Sequence, residues 1–261
     1  MQNFPIILPD YPDKVFNELI FVEGGEFMIG DKVEVKLSNF WISKYQVTQD
    51  LYEAVMGKDK NLSRFKGARR PVENVSWLDA VQFCNKLSEM MGRAQVYDIQ
   101  NVESEKFKQG IAIPDLTKNG ICLPPEAAWE YAARGGKYHS PYRYAGSDYL
   151  EEVAWYDENS HIESKPVGLK LPNALGLYDM SGNVWEWCED DYDSSFYETI
   201  KNNHENPINI THRSTENSSR VLHGGSWSSF AFDCRVSYRY GDHFDFRDGY
   251  FFGFRLFVRV S

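Results

Sequence analysis

Apolar positions in the first half of the chain recur with periods that define its elements. Residues 19–30, LIFVEGGEFMIG, place apolar runs on both sides of Gly24-Gly25, which predicts two short strands joined by a hairpin and the start of a sheet. Thr48 precedes Leu51, Tyr52 and Val55 on one helical face, and Gly57 follows them. A stronger helix is expected from Ser76. Asp79 falls in its first turn, Ala80, Phe83, Cys84 and Leu87 recur at three- and four-residue steps, and Gly92 lies beyond Met90-Met91. A third, shorter helix should begin at Pro125, where a missing amide hydrogen does no harm, and run through Glu126, Trp129 and Ala133 to a stop at Gly135-Gly136.

Beyond residue 140 the periodicity fades and turn formers take over, at Gly146-Ser147-Asp148, Pro172-Asn173 and Ser181-Gly182-Asn183. Residues 191–219, rich in Asn, Ser, Asp and Thr, read as a solvated loop. Val221-Leu222 and residues 253–260 then read as strands, the last alternating apolar residues with Arg and closing the first sheet. The class is α+β with an irregular centre and no internal repeat. Residues 1–18 are expected to form an N-terminal extension and residues 19–261 a single domain.

Composition narrows the function classes. With 42% hydrophobic and 15% aromatic residues among 261, the chain can bury a sizeable core and is not a disordered polymer. A formal charge of −10 leaves no basic field for a nucleic-acid backbone. Apolar runs such as Leu19-Ile20-Phe21-Val22 fall far short of the roughly 20 residues a membrane span needs. Met1 to Pro9 lacks the basic and apolar regions of a signal peptide. Cys84, Cys122, Cys188 and Cys234 are scattered without Cys-x-x-Cys spacing, so buried free thiols are expected, although an even count also permits two disulfides. His139, His161, His204, His212, His223 and His243 have no paired metal spacing and read as surface or loop residues.

Five segments in fixed order carry a resemblance: Arg70–Trp77 (RPVENVSW), Leu123–Gly136 (LPPEAAWEYAARGG), Asn173–Trp187 (NALGLYDMSGNVWEW), Val221–Trp227 (VLHGGSW) and Gly253-Phe254-Arg255. Together they resemble the formylglycine-generating enzyme, or sulfatase-modifying factor, family over nearly the whole chain from about residue 20. The resemblance implies a C-type lectin-like fold with little regular secondary structure. Family enzymes oxidise a substrate cysteine with a close pair of cysteines that bind copper through thiolates, just after Gly-Gly-Ser. Here that segment, Gly224 to Arg235, holds Cys234 alone, which matches a structural cysteine, and the family's disulfide partners are replaced by Ala133 and Leu256. The related iron-dependent sulfoxide synthases need a three-histidine helical bundle for which the chain is too short. Neither activity is expected.

The stretch that replaces the active site is compositionally distinct. Of the 25 residues from Ser228 to Phe252, nine are aromatic, more than double the chain average. None is Lys, Glu, Gln, Met or Trp, although those types supply 55 of the 261 residues. Every residue present can be encoded by a codon ending in C, as if the adenines of AAC codons had been replaced at random. Followed by Gly253-Phe254-Arg255, the window resembles the variable regions of diversity-generating retroelement proteins, of the treponemal type. That resemblance implies a non-enzymatic, massively variable receptor or adhesin. The candidate ligand-binding residues are Ser228, Ser229, Phe230, Phe232, Asp233, Tyr238, Tyr240, Gly241, Asp242, His243, Phe244, Phe246, Asp248, Gly249, Tyr250, Phe251 and Phe252. Rings interleaved with small polar residues supply contact area and adaptable hydrogen bonds, as in antibody paratopes. The ligand is expected to be a protein or other macromolecule, the chain a monomer, and its location the bacterial cell surface, with a leader absent from this sequence.

Trp77, Trp129, Trp185 and Trp187 read as core, and Arg235, Arg239, Arg247 and Arg255 as braces for the window. No cofactor is required. The family resemblance does imply a possible structural calcium held by Asp179, Glu186 and the carbonyls of Gly182 and Val184, a second calcium site being lost at Trp155. In the bland alternative, Asp179 and Glu186 bond only to backbone amides. Two other functional readings stand beside the main one: a cysteine oxidoreductase with a reduced formylglycine-generating site, and a carbohydrate-binding lectin, for which Glu-Pro-Asn sugar ligands are missing.

Overall fold

The computed structural model describes residues 3–103, 108–200, 204–211, 218–247 and 249–260. Thirteen short strands are described: β1 (Asn3–Ile6), β2 (Asn17–Val22), β3 (Gly25–Ile29), β4 (Val33–Leu37), β5 (Phe40–Ser43), β6 (Tyr97–Glu103), β7 (Lys108–Pro114), β8 (Trp185–Asp191), β9 (His204–Glu205), β10 (Ser219–His223), β11 (Tyr240–His243), β12 (Phe252–Gly253) and β13 (Phe257–Arg259). The helices are α1 (Gln49–Met56), α2 (Trp77–Met90), α3 (Glu126–Ala133), α4 (Leu150–Val153) and α5 (Phe196–Thr199).

The three expected helices form where their end signals lie. The Ser76 hydroxyl accepts from the Asp79 amide while the Asp79 carboxylate accepts from the Ser76 amide, a reciprocal cap that satisfies two otherwise orphaned donors. Gly57 ends α1 at a φ of 100° and Gly135 follows α3 at 96°, values that favour glycine. Phe83 of α2 stacks on Tyr52 of α1 at 5.4 Å and meets the edge of Phe254 at 5.3 Å, so the two helices join the core next to the C-terminal strands.

Two sheets organise the rest. In the first, the order is β1-β2-β5-β13, antiparallel throughout, so the C-terminal strand does close the N-terminal sheet. The second has the order β11-β10-β8-β12, with β12 parallel to β8. A three-stranded sheet β3-β4-β9 and the hairpin β6-β7 complete the set.

Several expectations are corrected. Gly24-Gly25 is not a hairpin: β2 pairs with β1 and β5, and β3 with β4, so the glycines carry the chain from one sheet to another. A Cβ on Gly24 would lie 2.1 Å from the Leu37 carbonyl, which explains the residue type. Residues 3–6 are the edge strand of the first sheet rather than an appended extension. The strand expected over 253–260 is split, because Phe254, Arg255 and Leu256 turn inward between β12 and β13 and are all buried. Residues 191–211 contain the end of β8, α5 and β9 rather than loop alone.

All four cysteines are buried and free. Trp77, Trp129, Trp185 and Trp187 are core residues, as expected. Between residues 140 and 184 the only described element is the four-residue α4, so order there depends on side-chain anchors. Asn173 is one: its amide nitrogen donates to the Ala132 and Ala133 carbonyls, and its oxygen accepts from the Leu175 and Leu177 amides.

Candidate ligand-binding surface

The window begins where β10 runs into Gly224 and Gly225, both at positive φ. A Cβ on Gly225 would stand 2.6 Å from the Cys234 sulfur, so the turn can be this tight only with glycine. The Trp227 amide donates to the Asn183 carbonyl and its indole nitrogen to the Tyr250 carbonyl, at 2.8 Å each, tying the two ends of the window together. Further anchors come from outside: Ser181 Oγ donates to the Cys234 carbonyl, the Val236 amide to the Arg143 carbonyl, and the Trp77 amide to the Phe244 carbonyl.

Arg235, Arg239 and Arg247 brace these loops, whereas Arg255 makes its bonds in the frame beneath them. Arg235 lies 3.6 Å above the Phe232 ring and donates to the Phe232 carbonyl. Arg239 grips Glu126 with both sides of its guanidinium, at 2.5 and 2.9 Å, and also donates to the Asp193 carbonyl. Burial alone would raise the pKa of Glu126, but Arg239 and His223 outweigh it and hold the carboxyl well below the usual range. Arg247 reaches Asp79 at the start of α2. Arg255 is fully buried and grips Glu186 on β8.

On this frame the candidate residues divide. Ser228, Phe230, Phe232, Tyr240, Phe246 and Tyr250 are exposed; Phe230 presents 71% of its surface to solvent and Phe232 56%. Asp233, Tyr238, Gly241, Asp242, His243, Gly249 and Phe251 are half-buried. Rings run from Phe232 to Tyr238 at 5.0 Å, then to Trp185 and on to Tyr240 at 6.0 and 5.6 Å. Asp248 lies outside the described residues, as does His212.

Three candidates are corrected to core or frame. Phe252 is buried against Trp187, Phe246 and Phe251, in the strand that pairs with β8. Phe244 is buried next to the Arg220 guanidinium. Ser229 is buried, and its hydroxyl accepts from the Ser226 amide to close the first turn. Alternation cannot separate these from their exposed neighbours, because burial here is set by contacts with distant strands.

Sequence reasoning missed the surface that flanks the window. The Arg64 guanidinium lies 4.8 Å over the Tyr250 ring, Phe65 meets Trp227 edge-on at 5.3 Å, and Leu62 is exposed in the same loop. Tyr192 lies against Gly241, where a Cβ would come within 2.3 Å of the ring, and Arg239 stacks on its face. The loop from 61 to 66 is pinned by Glu73, which accepts from the Arg64 and Phe65 amides at 2.5 and 2.9 Å. Burial pushes the Glu73 carboxyl up to about 7 despite those bonds. His223, expected on the surface, is buried on β10, where it stacks on Trp129 at 4.7 Å and meets Glu126 at 3.0 Å.

Of the oxygens assigned to calcium, those of Gly182, Val184 and Glu186 converge, joined by the Asp179 carbonyl in place of its carboxylate, and they converge on a side chain. Gln46 Nε2 lies 3.2 Å from the Asp179 carbonyl, 3.4 Å from that of Gly182, 2.9 Å from that of Val184 and 3.0 Å from Glu186 Oε1. Glu186 Oε2 is taken by Trp129 Nε1 at 2.6 Å and Arg255 Nε at 2.5 Å. Asp179 accepts from the Gly168 amide, and burial raises its carboxyl to about 6. A donor therefore fills the position a cation would take, the Glu186 carboxylate is neutralised by Arg255, the Asp179 carboxylate is turned to the Gly168 amide, and the set does not fit calcium. Among the described residues no group of three or more His, Cys, Asp or Glu could hold a metal ion, and no helix is long and apolar enough to cross a membrane.

Comparison with known proteins agrees with this architecture. Residues 8–260 match the sulfatase-modifying factor enzyme 1-like domain. The solved structure of Treponema denticola variable protein 1 superposes with a TM-score of 0.82 at 32% identity, covering 99% of each chain. A chaperone protein LppX of Paenibacillus barcinonensis is 37% identical over 254 residues, which span 86% of this chain and 83% of that one. The formylglycine-generating enzyme of Streptomyces coelicolor is 37% identical over 122 residues, 41% of this chain and 36% of the enzyme. By its sequence and by a fold shared end to end with the treponemal variable protein, the chain belongs to the sulfatase-modifying factor enzyme 1-like family.

Proposed function

We propose that the chain is a non-enzymatic binding protein whose retroelement-diversified residues between 228 and 252 form a variable recognition surface for a protein or other macromolecular ligand, displayed at a bacterial cell surface. The observation that carries this is the exposure of five rings, those of Phe230, Phe232, Phe246 and Tyr250 on loops and of Tyr240 at the start of β11, on a backbone held from elsewhere. Ordered aromatic surface open to water marks an interaction site. The end-to-end likeness to a variable protein supports the same reading.

The oxidoreductase alternative lacks its chemistry. Cys234 is the single cysteine of the segment, it is buried, and burial pushes its thiol far above the ordinary range. Soft-metal oxidation of a thiol substrate needs accessible thiolate, which this residue does not supply. The lectin alternative needs calcium beside a polar site in the window, where the Glu-Pro-Asn sugar ligands are missing.

The nucleotide sequence tests diversification: a nearby near-copy of codons 228–252 that differs only at adenines is expected, and its absence removes that part of the proposal. Incubation with copper and a Cys-x-Pro-x-Arg peptide tests the enzyme reading. No aldehyde should form by mass spectrometry, and turnover would reverse the assignment.

A further inference from the structure

We infer that the Gln46 carboxamide is a built-in replacement for a structural cation beneath the recognition surface, so that the domain holds its fold without calcium and one substitution reopens a cation site. Gln46 lies between β5 and α1, fully buried. Its nitrogen faces three main-chain carbonyls and one carboxylate oxygen, at 2.9 to 3.4 Å. A shell of oxygens from one short segment, residues 179–186, is the arrangement a hard cation selects. An amide nitrogen has only two hydrogens to share among them.

The orientation of the amide follows from its surroundings. Turned the other way, Gln46 would put its own oxygen against four more with no donor between them, which only a cation could relieve. As placed, its oxygen has no partner among the described residues, so the four-oxygen shell decides the orientation. Charge is balanced separately: both Glu186 oxygens accept from Arg255, at 2.5 and 2.7 Å. With the charge neutralised by Arg255 and the carbonyls met by the amide, an added divalent ion would have to expel the Gln46 side chain.

The consequence reaches the surface above. Glu186 pairs through β8 with β10 and β12, the strands from which the window starts and to which it returns. The frame under the variable loops is therefore independent of free calcium.

Thermal unfolding of the full chain in EDTA and in millimolar calcium tests this. The wild-type midpoints are expected to agree within about 1 °C, because an ion that does not bind the native state cannot shift its stability. Titration with terbium should give no saturable tryptophan-sensitised emission, although the Trp129 indole lies beside Glu186. Gln46→Glu replaces the donor by an acceptor, and its midpoint should rise by several degrees on adding calcium, to an extent set by occupancy. A wild-type midpoint that falls in EDTA and recovers with calcium would overturn the inference. So would saturable terbium emission, or a folded Gln46→Glu variant indifferent to calcium. If that variant folds in neither solution, the two wild-type measurements decide.

Discussion

Strand β8 carries Glu186, Glu189, Asp190 and Asp191, and all four are buried; the window from 228 to 252 carries nine rings, and five of them face water. Each buried carboxylate has a partner from a distant part of the chain. Glu186 meets Arg255, Glu189 meets the Tyr97 hydroxyl, Asp190 meets the amides of Glu126 and Asn209, and Asp191 meets Arg220. Such pairs add little net stability compared with apolar replacements, but removing half of one leaves an uncompensated charge. The exposed rings have no obligation of that kind. The frame is thus specified by buried pairs drawn from distant segments, and the surface by side chains that take no part in those pairs.

Breaking one buried pair should have the largest effect. Arg255→Met leaves Glu186 buried without its guanidinium and is expected to lower stability by about 3–5 kcal/mol in denaturant unfolding. Phe252→Ala lies within the window but should behave as a core deletion, also losing about 3–5 kcal/mol. A loss below about 0.5 kcal/mol would return that ring to the surface set. Arg239→Ala removes one of two partners of Glu126, and since His223 remains, the loss should be nearer 2 kcal/mol.

Glu73 sharpens the comparison through pH. Its carboxyl is raised from 4.5 to about 7 by burial, so the folded protein favours the neutral form. The stabilising contribution of this group is complete below 4.5 and is lost as pH rises through about 7. Glu73→Gln keeps an acceptor for the Arg64 and Phe65 amides and should flatten stability between those limits, measured as unfolding midpoint against pH. An unchanged slope would mean that Glu73 is already ionised in the folded state. The smallest effects belong to the surface: Phe230→Ala and Phe232→Ala should each change stability by no more than about 0.5 kcal/mol. A larger loss would mean these rings support the frame.

Local signals made much of this legible. Ser76 with Asp79, Pro125 before Glu126, and Gly57 and Gly135 after their helices act within a turn of where they stand, and each element formed there. The tryptophans of the core and the bracing arginines followed from residue chemistry. What failed was set at long range. Gly24-Gly25 looks like a hairpin until the Leu37 carbonyl is placed against it. The hairpin β6-β7 was not anticipated, and Phe244 and Phe252 differ from Phe246 and Tyr250 only in what lies behind them. Gln46 carries no local signal, since its partners are more than 130 positions away.

Gly241 sets a limit on how far the surface can be rewritten. With the Tyr192 ring directly behind it, any side chain at 241 must displace that ring and, through it, the Arg239 guanidinium that lies over both Tyr192 and Tyr197. The usable repertoire is therefore narrower than the length of the window suggests. A combinatorial library built on this scaffold should hold 239, 241, 244 and 252 constant and randomise 230, 232, 240, 246 and 250.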